Sequence, residues 1–164
     1  MICLTSPLSR FRRSEDGAAL VEFGLLLPVF LLMFALAVEG SRTFWAYQTA
    51  IAGVRDASRF VARSAPNSLC ETAGTLNSYT SKVTDIVTNT VGGDSLFPAS
   101  ITIASVTPTL TCITGNYAMG TVPVANITAV LNVSYPFSGV FDLIGVDLGD
   151  VSTTVTDQSR IYGV

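Results

Sequence analysis

The chain has 164 residues, which is the length of one ordinary domain. Hydrophobic residues make up 49% of it and charged residues 13%, against about 25% charged in typical globular proteins. Together with a mean hydropathy of +0.51, this excludes a disordered or acidic-tail protein. The net charge of −3 argues against nucleic acid as a partner, because a surface that binds phosphates must be positive. The chain has no histidine, the commonest general base and zinc ligand, so we expect no enzyme, no cofactor and no metal site.

Charge is distributed unevenly along the chain. Seven of the nine basic residues precede residue 64, whereas two basic and seven acidic residues follow it. Such an asymmetry predicts two regions with different roles.

Residues 17–38 form an apolar stretch of 22 residues with one ionisable side chain, Glu22. As a helix this stretch is about 33 Å long, enough to cross a hydrocarbon core of about 30 Å. A removed signal peptide would have a shorter apolar run and a clean small-residue cleavage site, which residues 35–37 imitate only weakly. A buried core helix is the other alternative, but the remaining hundred residues could hardly cover it. The sequence therefore favours a membrane-spanning helix.

Basic residues flanking the span predict its orientation. Arg10, Arg12 and Arg13 precede it, and Arg42 and Arg55 follow within twenty residues. Because cytoplasmic flanks carry the excess of Lys and Arg, we expect a cytoplasmic N-terminus and an extracytoplasmic C-terminal region. The acidic, lysine-poor and threonine-rich composition of that region agrees.

Two residues are unusual for a simple membrane anchor. An ionised carboxylate at the bilayer centre costs about 2.5–3.5 kcal/mol, so Glu22 needs a partner even though it lies near one end of the run. Pro28 cannot donate a hydrogen bond to Gly24, so a kink or a locally melted turn is expected there. Each residue alone could be tolerated, as an interfacial acid and a transmembrane proline.

A longer pattern unites these residues. A basic leader, Gly17, an apolar stretch, Glu22 at the fifth position after the glycine and then a long apolar helix resemble a type IV prepilin processing site. In detail, GAALVEFGLLLP resembles the N-terminus of TadE-like proteins, the pseudopilins of the tight-adherence (Flp) pilus machinery. Residues 40–44, 52–59 and 133–137 resemble later parts of that family.

The resemblance implies a minor pseudopilin in the bacterial inner membrane, acting in pilus assembly. It implies that a prepilin peptidase cuts between Gly17 and Ala18, and that Glu22 pairs with the new amine of a neighbouring subunit. The implied partners are the peptidase, other pilins and pseudopilins, inner-membrane platform proteins and membrane lipid. Two alternatives stay open: Glu22 could merely complement the helix dipole, and the chain could be an extracytoplasmic binding or enzyme domain for which the helix is only a tether.

The helix is predicted to continue beyond the membrane to about Pro66, because a residue before proline disfavours helix. A mostly apolar stripe recurs there at spacings of three and four, and we expect it to pack on the downstream domain: Phe44, Tyr47, Ile51, Val54, Ser58 and Val61. The predicted organisation is a leader at 1–17, a transmembrane helix at 18–38, its extramembrane continuation at 39–65 and a periplasmic domain at 66–164.

The region after residue 66 is predicted to be α+β and pilin-like. A short helix is expected within residues 75–91, followed by three or four antiparallel strands. Alternating β-branched residues place these strands at 101–106, 109–113, 125–135 and 151–161. Residues 137–148 are expected to form a packed loop or short helical turn. Asp142, Asp147 and Asp150 lack the EF-hand spacing, which favours a solvated loop over a calcium site.

Three cysteines bear on the compartment. Cys3 lies in the predicted leader, which leaves Cys70 and Cys112 as an even pair in an oxidising environment. We therefore expect a disulfide between them; the alternative is two unrelated buried thiols.

Overall fold

The computed structural model describes residues 16–116, 120–142, 145–147 and 149–163. The predicted leader up to residue 15, with Arg10, Arg12 and Arg13, lies outside the described residues, as does Cys3. The described chain contains a long helix, a short helix and a three-stranded antiparallel sheet, which confirms the predicted α+β arrangement.

A single helix, α1, runs from Asp16 to Ser64 over 49 residues. It passes through Pro28 without interruption, so the locally melted turn considered from the sequence is not present, and a bend there stays a prediction. The helix ends two residues before Pro66, as the proline predicts.

The two halves of α1 have different surroundings. Nearly all side chains from Ala18 to Phe34 are exposed, whereas the second half buries one side. That buried side consists mainly of small residues at helical spacing: Ala46, Ala50, Val54, Ala57 and Val61. The predicted stripe is wrong in its first part, because Phe44 and Tyr47 are exposed and alanines take the buried positions. Small side chains let the sheet approach the helix closely.

A second helix, α2, covers Thr80–Thr88, after 3₁₀ turns at Asn67–Cys70 and Asn77–Tyr79. It is shorter than the predicted 75–91. It meets α1 at Gly53, where a Cβ atom would lie 3.2 Å from the Cα atom of Val87. The helices therefore touch nearly backbone to backbone. On its exposed side, hydrogen bonds from Lys82 and Asn89 hold the pKa of Asp85 below its usual value.

The sheet has the order β1-β2-β3, with β1 at Ile101–Thr114, β2 at Thr121–Val133 and β3 at Val151–Arg160. The predicted strands 101–106 and 109–113 are one strand, which continues through Pro108. Proline is tolerated there because β1 is an edge strand and needs no amide donor on its outer side.

One face of the sheet packs on the helices and the other is polar. On β2 the alternate residues Ala125, Ile127, Ala129 and Leu131 are buried. On the opposite face, the side-chain amide of Asn126 donates to the hydroxyl of Thr111 (2.7 Å). Alternation of this kind is expected when only one face of a sheet is covered.

The end of the chain is fastened to the end of α1. The amide of Tyr162 donates to the carbonyl of Ala62 (2.9 Å), and the amide of Asn67 donates to the carbonyl of Gly163 (3.1 Å). A Cβ atom at Gly163 would lie 2.6 Å from the carbonyl oxygen of Arg63, so only glycine fits without a shift of the backbone. These contacts hold the segment after β3 against the C-terminal end of α1.

A disulfide joins Cys70 and Cys112, the pair expected from the sequence. Their Cα atoms are 5.8 Å apart, and 42 positions separate them in the sequence. The bond ties the turn that follows α1 to the edge strand β1.

Removing this bond by Cys70→Ser with Cys112→Ser is expected to lower the free energy of unfolding by about 4 kcal/mol, because a loop of this length loses its constraint in the unfolded chain. Urea unfolding of the full chain in detergent measures the change, with Cys3→Ser as the control. Two free thiols at residues 70 and 112 in a non-reducing peptide map would contradict the pairing.

Candidate functional site

The predicted processing site lies at the start of the described part of α1. Residues from Asp16 onward are helical, so the bond between Gly17 and Ala18 is helical in the structure. A Cβ atom at Gly17 would meet nothing within 4 Å in the described chain. Packing among the described residues therefore does not require glycine at this position.

Glu22 lies one turn further along the helix. Its side chain is exposed, and it makes no hydrogen bond or ion pair with any other residue in the described ranges. Residues four apart share a helix face, so Glu22 and Ala18 lie on the same side of α1. An amine at Ala18 and the carboxylate of Glu22 would thus be neighbours, within one helix or between two parallel helices.

The surface around these residues is apolar. An 18-residue window of α1 has a mean hydropathy of 2.4 and is 6% buried. Within the described part of the chain, α1 is the one helix that is long and apolar enough to span a membrane. Pro28 lies within this bare stretch, and its side chain is exposed.

The sequence analysis missed a second acidic residue on α1, Glu39. It is only 5% exposed, and its Oε1 atom accepts a hydrogen bond from the amide of Phe137 (2.9 Å). Arg42 lies 3.8 Å from the Glu39 carboxylate and donates to the hydroxyl of Ser100. These contacts fasten the lower end of the sheet to α1. The signal that could have found Glu39 is an acid directly after the apolar run with a basic residue three positions on.

A polar contact fixes the sheet higher up the helix. The hydroxyl of Ser58, which is fully buried, lies 2.5 Å from a carboxylate oxygen of Asp157 on β3. This contact explains why the predicted apolar stripe contains a serine: the position faces a strand that carries an acid.

An open apolar groove lies where the bare and the buried parts of α1 meet. Residues 36–47 of α1 form one wall, and the ends of β2 and β3 with the short helix α3 (Ser138–Asp142) form the other. Its volume is about 580 Å³. We call it the junction groove. Its strand-side wall consists of Leu131, Val133, Tyr135, Phe141, Val151 and Thr153.

The described residues provide no metal site of three or more histidine, cysteine or acidic side chains. Asp142, Asp147 and Asp150 are exposed. Their arrangement gives no support to the calcium alternative.

The geometry defines an α+β protein built on one long helix, bare and apolar at its start and buried in the domain at its end. Residues 17–59 match the family model described as TadE-like protein. The resemblance predicted from the sequence is confirmed over these residues, which make up about a quarter of the chain and begin at Gly17. Searches of the curated proteins and of the solved structures gave no match.

Glu39→Ala is expected to lower the free energy of unfolding by about 1–3 kcal/mol, because it leaves a shielded amide donor and a guanidinium without their acceptor. Glu39→Gln keeps one acceptor oxygen and should cost less. Thermal or urea unfolding in detergent measures both. The exposed Glu71→Ala is the matched control, with a change within about 0.5 kcal/mol. An equal, negligible change at Glu39 and Glu71 would show that the buried contact does not stabilise the fold.

Proposed function

We propose that the chain is a minor pseudopilin, a membrane-anchored structural component in the assembly of a tight-adherence pilus or a related secretion machine. The observation that carries this proposal is the family match from Gly17 onward, on a helix whose first part is apolar and uncovered. A family tied to pilus assembly also implies association with other proteins of that machinery. The absence of histidine and of a metal cluster among the described residues gives no support to catalysis.

The long apolar helix supports a single-pass anchor, and the arginines that flank it favour a cytoplasmic N-terminus. In this arrangement residues 18–38 cross the inner membrane, residues 39–65 carry the helix onward, and residues 66–164 form a periplasmic domain. The disulfide between Cys70 and Cys112 favours the oxidising side of the membrane for that domain.

Processing would require a local opening of α1 around Gly17. A peptidase needs an extended backbone, whereas the Gly17–Ala18 bond is helical in the structure. Glycine at residue 17 adds conformational freedom and leaves the bond unhindered.

Glu22 would then recruit the next subunit. A carboxylate within an apolar stretch is costly in lipid, and the positive amine of a cleaved neighbour is a partner of opposite charge and suitable size. The exposed position of Glu22, without a partner in the described chain, leaves it available for this contact.

Gly17→Leu is expected to block processing, because the bulky side chain hinders the bond and restricts the backbone. The product in cells that contain the peptidase should be a chain of 147 residues starting at Ala18, and the variant should keep its leader. Mass spectrometry of the terminal peptide measures this. Gly24→Leu is the matched control, since a Cβ atom there also meets nothing within 4 Å. A parent protein that still starts at Met1 would contradict cleavage at this site.

Glu22→Gln is expected to leave processing intact and to weaken assembly, because it removes the charge but keeps the size and hydrogen-bonding capacity of the side chain. Co-purification with pilus components measures assembly, and Glu71→Gln, an exposed acid in the domain, is the control. If both variants co-purify like the parent, Glu22 has no recruiting role and merely complements the helix dipole.

A further inference from the structure

Exposed apolar side chains of the domain concentrate at the end that adjoins the apolar span. From residue 40 onward nine large hydrophobic side chains of the described chain are exposed, and three of these, Val91, Ile113 and Tyr162, lie apart from the others. Of the remaining six, Phe44, Tyr47 and Val151 line the junction groove. Trp45 follows Phe44 on α1, and the backbone amides of Phe137 and Val146 donate to the lining residues Glu39 and Phe141. A cluster of this kind marks contact with an apolar partner.

The position of the groove along α1 indicates which layer of the bilayer adjoins it. Its helical wall begins at Leu36, inside the apolar stretch, and ends at Tyr47, about 14 Å beyond Val38 at a rise of 1.5 Å per residue. Each headgroup layer of a bilayer adds about 5–8 Å to the hydrocarbon core. The lower part of the groove therefore lies at the edge of the hydrocarbon and in the headgroup layer. Phe44 and Trp45, about 9–11 Å beyond Val38, lie just outside this layer and are 65% and 57% exposed.

The apolar surface of the span continues into the groove along one face of α1. Leu36, Gly40, Phe44 and Tyr47 follow one another at spacings of four, four and three, so they lie on this face. Glu39 is the one carboxylate in the lining, and it accepts a hydrogen bond from the Phe137 amide.

The volume of the groove suits a lipid chain. The groove holds about 580 Å³, which is within the range of small-molecule sites. A flexible methylene chain from the adjoining bilayer fits both this volume and the apolar walls.

We propose that the junction groove binds one acyl chain of a membrane phospholipid and so seats the domain on the bilayer surface. The proposal rests on the membrane position of α1, which is part of the proposed function, and does not depend on a role in a pilus. Binding removes the apolar walls from water, and this burial supplies the favourable free energy.

The test uses the full chain in phosphatidylcholine vesicles that contain some phosphatidylcholine with a diazirine at the end of an acyl chain. After irradiation, mass spectrometry should find adducts on Tyr47, Val151 or Thr153 in addition to adducts within residues 18–38. Labelling of the span without the groove overturns the proposal but keeps the membrane anchor. Labelling of neither overturns both.

A matched pair of variants tests occupancy. Gly40 lines the groove and a Cβ atom there meets nothing within 4 Å, so the ring of Gly40→Phe has room to fill the groove. This variant should lose the groove adducts and keep those of the span. Gly24→Phe, an equally open position on the bare part of α1, should keep both. Unchanged thermal unfolding shows that both variants fold.

The variant pair also separates lipid from other occupants. Groove adducts that persist in Gly40→Phe overturn the proposal. In a second measurement, the photoreactive benzoylphenylalanine replaces Tyr47. Cross-links to a second copy or to another segment of the chain, instead of to phospholipid, also overturn the proposal.

Discussion

One continuous helix has an uncovered apolar part and a part that packs in the core of the domain, and the rest of the structure depends on this constraint. Below Val38, the side chains of α1 are apolar on nearly all sides and the domain does not cover them. Above it, the same helix is amphipathic and supplies one layer of a folded core. Because no turn separates the two parts, the orientation of the sheet on the helix also sets its orientation relative to the span.

The domain therefore has to be held firmly on the helix, and contacts at three heights do this. Glu39 holds the lower end through the amide of Phe137, Ser58 meets Asp157 at mid-height, and Gly163 closes against the carbonyl of Arg63 at the top. Between these contacts, alanines and Gly53 bring the sheet and α2 close to the helix axis. A small domain gains rigidity from such close packing without large side chains.

Local sequence patterns predicted the parts of the fold that depend on near neighbours. The apolar run, the end of α1 before Pro66, the three-stranded sheet and the cysteine pair all appear in the structure. The errors arise from contacts distant in sequence. Spacing alone placed Phe44 and Tyr47 at the start of the predicted stripe, but the close approach of the sheet buries Ala46 and Ala50 there. The sequence predicted separate strands at 101–106 and 109–113, yet the edge strand continues through Pro108. Glu39 was missed because its main partner lies 98 residues away, and its local signal is confined to Arg42 three positions on.

Glycines in α1 and against its end show which positions the packing of the domain requires and which it leaves open. At Gly53 and Gly163 an added Cβ atom would press on backbone atoms, so the packing of the domain explains both residues. At Gly17 and Gly40 the space is open, although glycine within a helix costs about 1 kcal/mol relative to alanine. Gly24 is equally open, and nothing in the structure explains it. The two proposals account for the other open glycines: a peptidase would reach the helix at Gly17, and a lipid chain would reach it at Gly40.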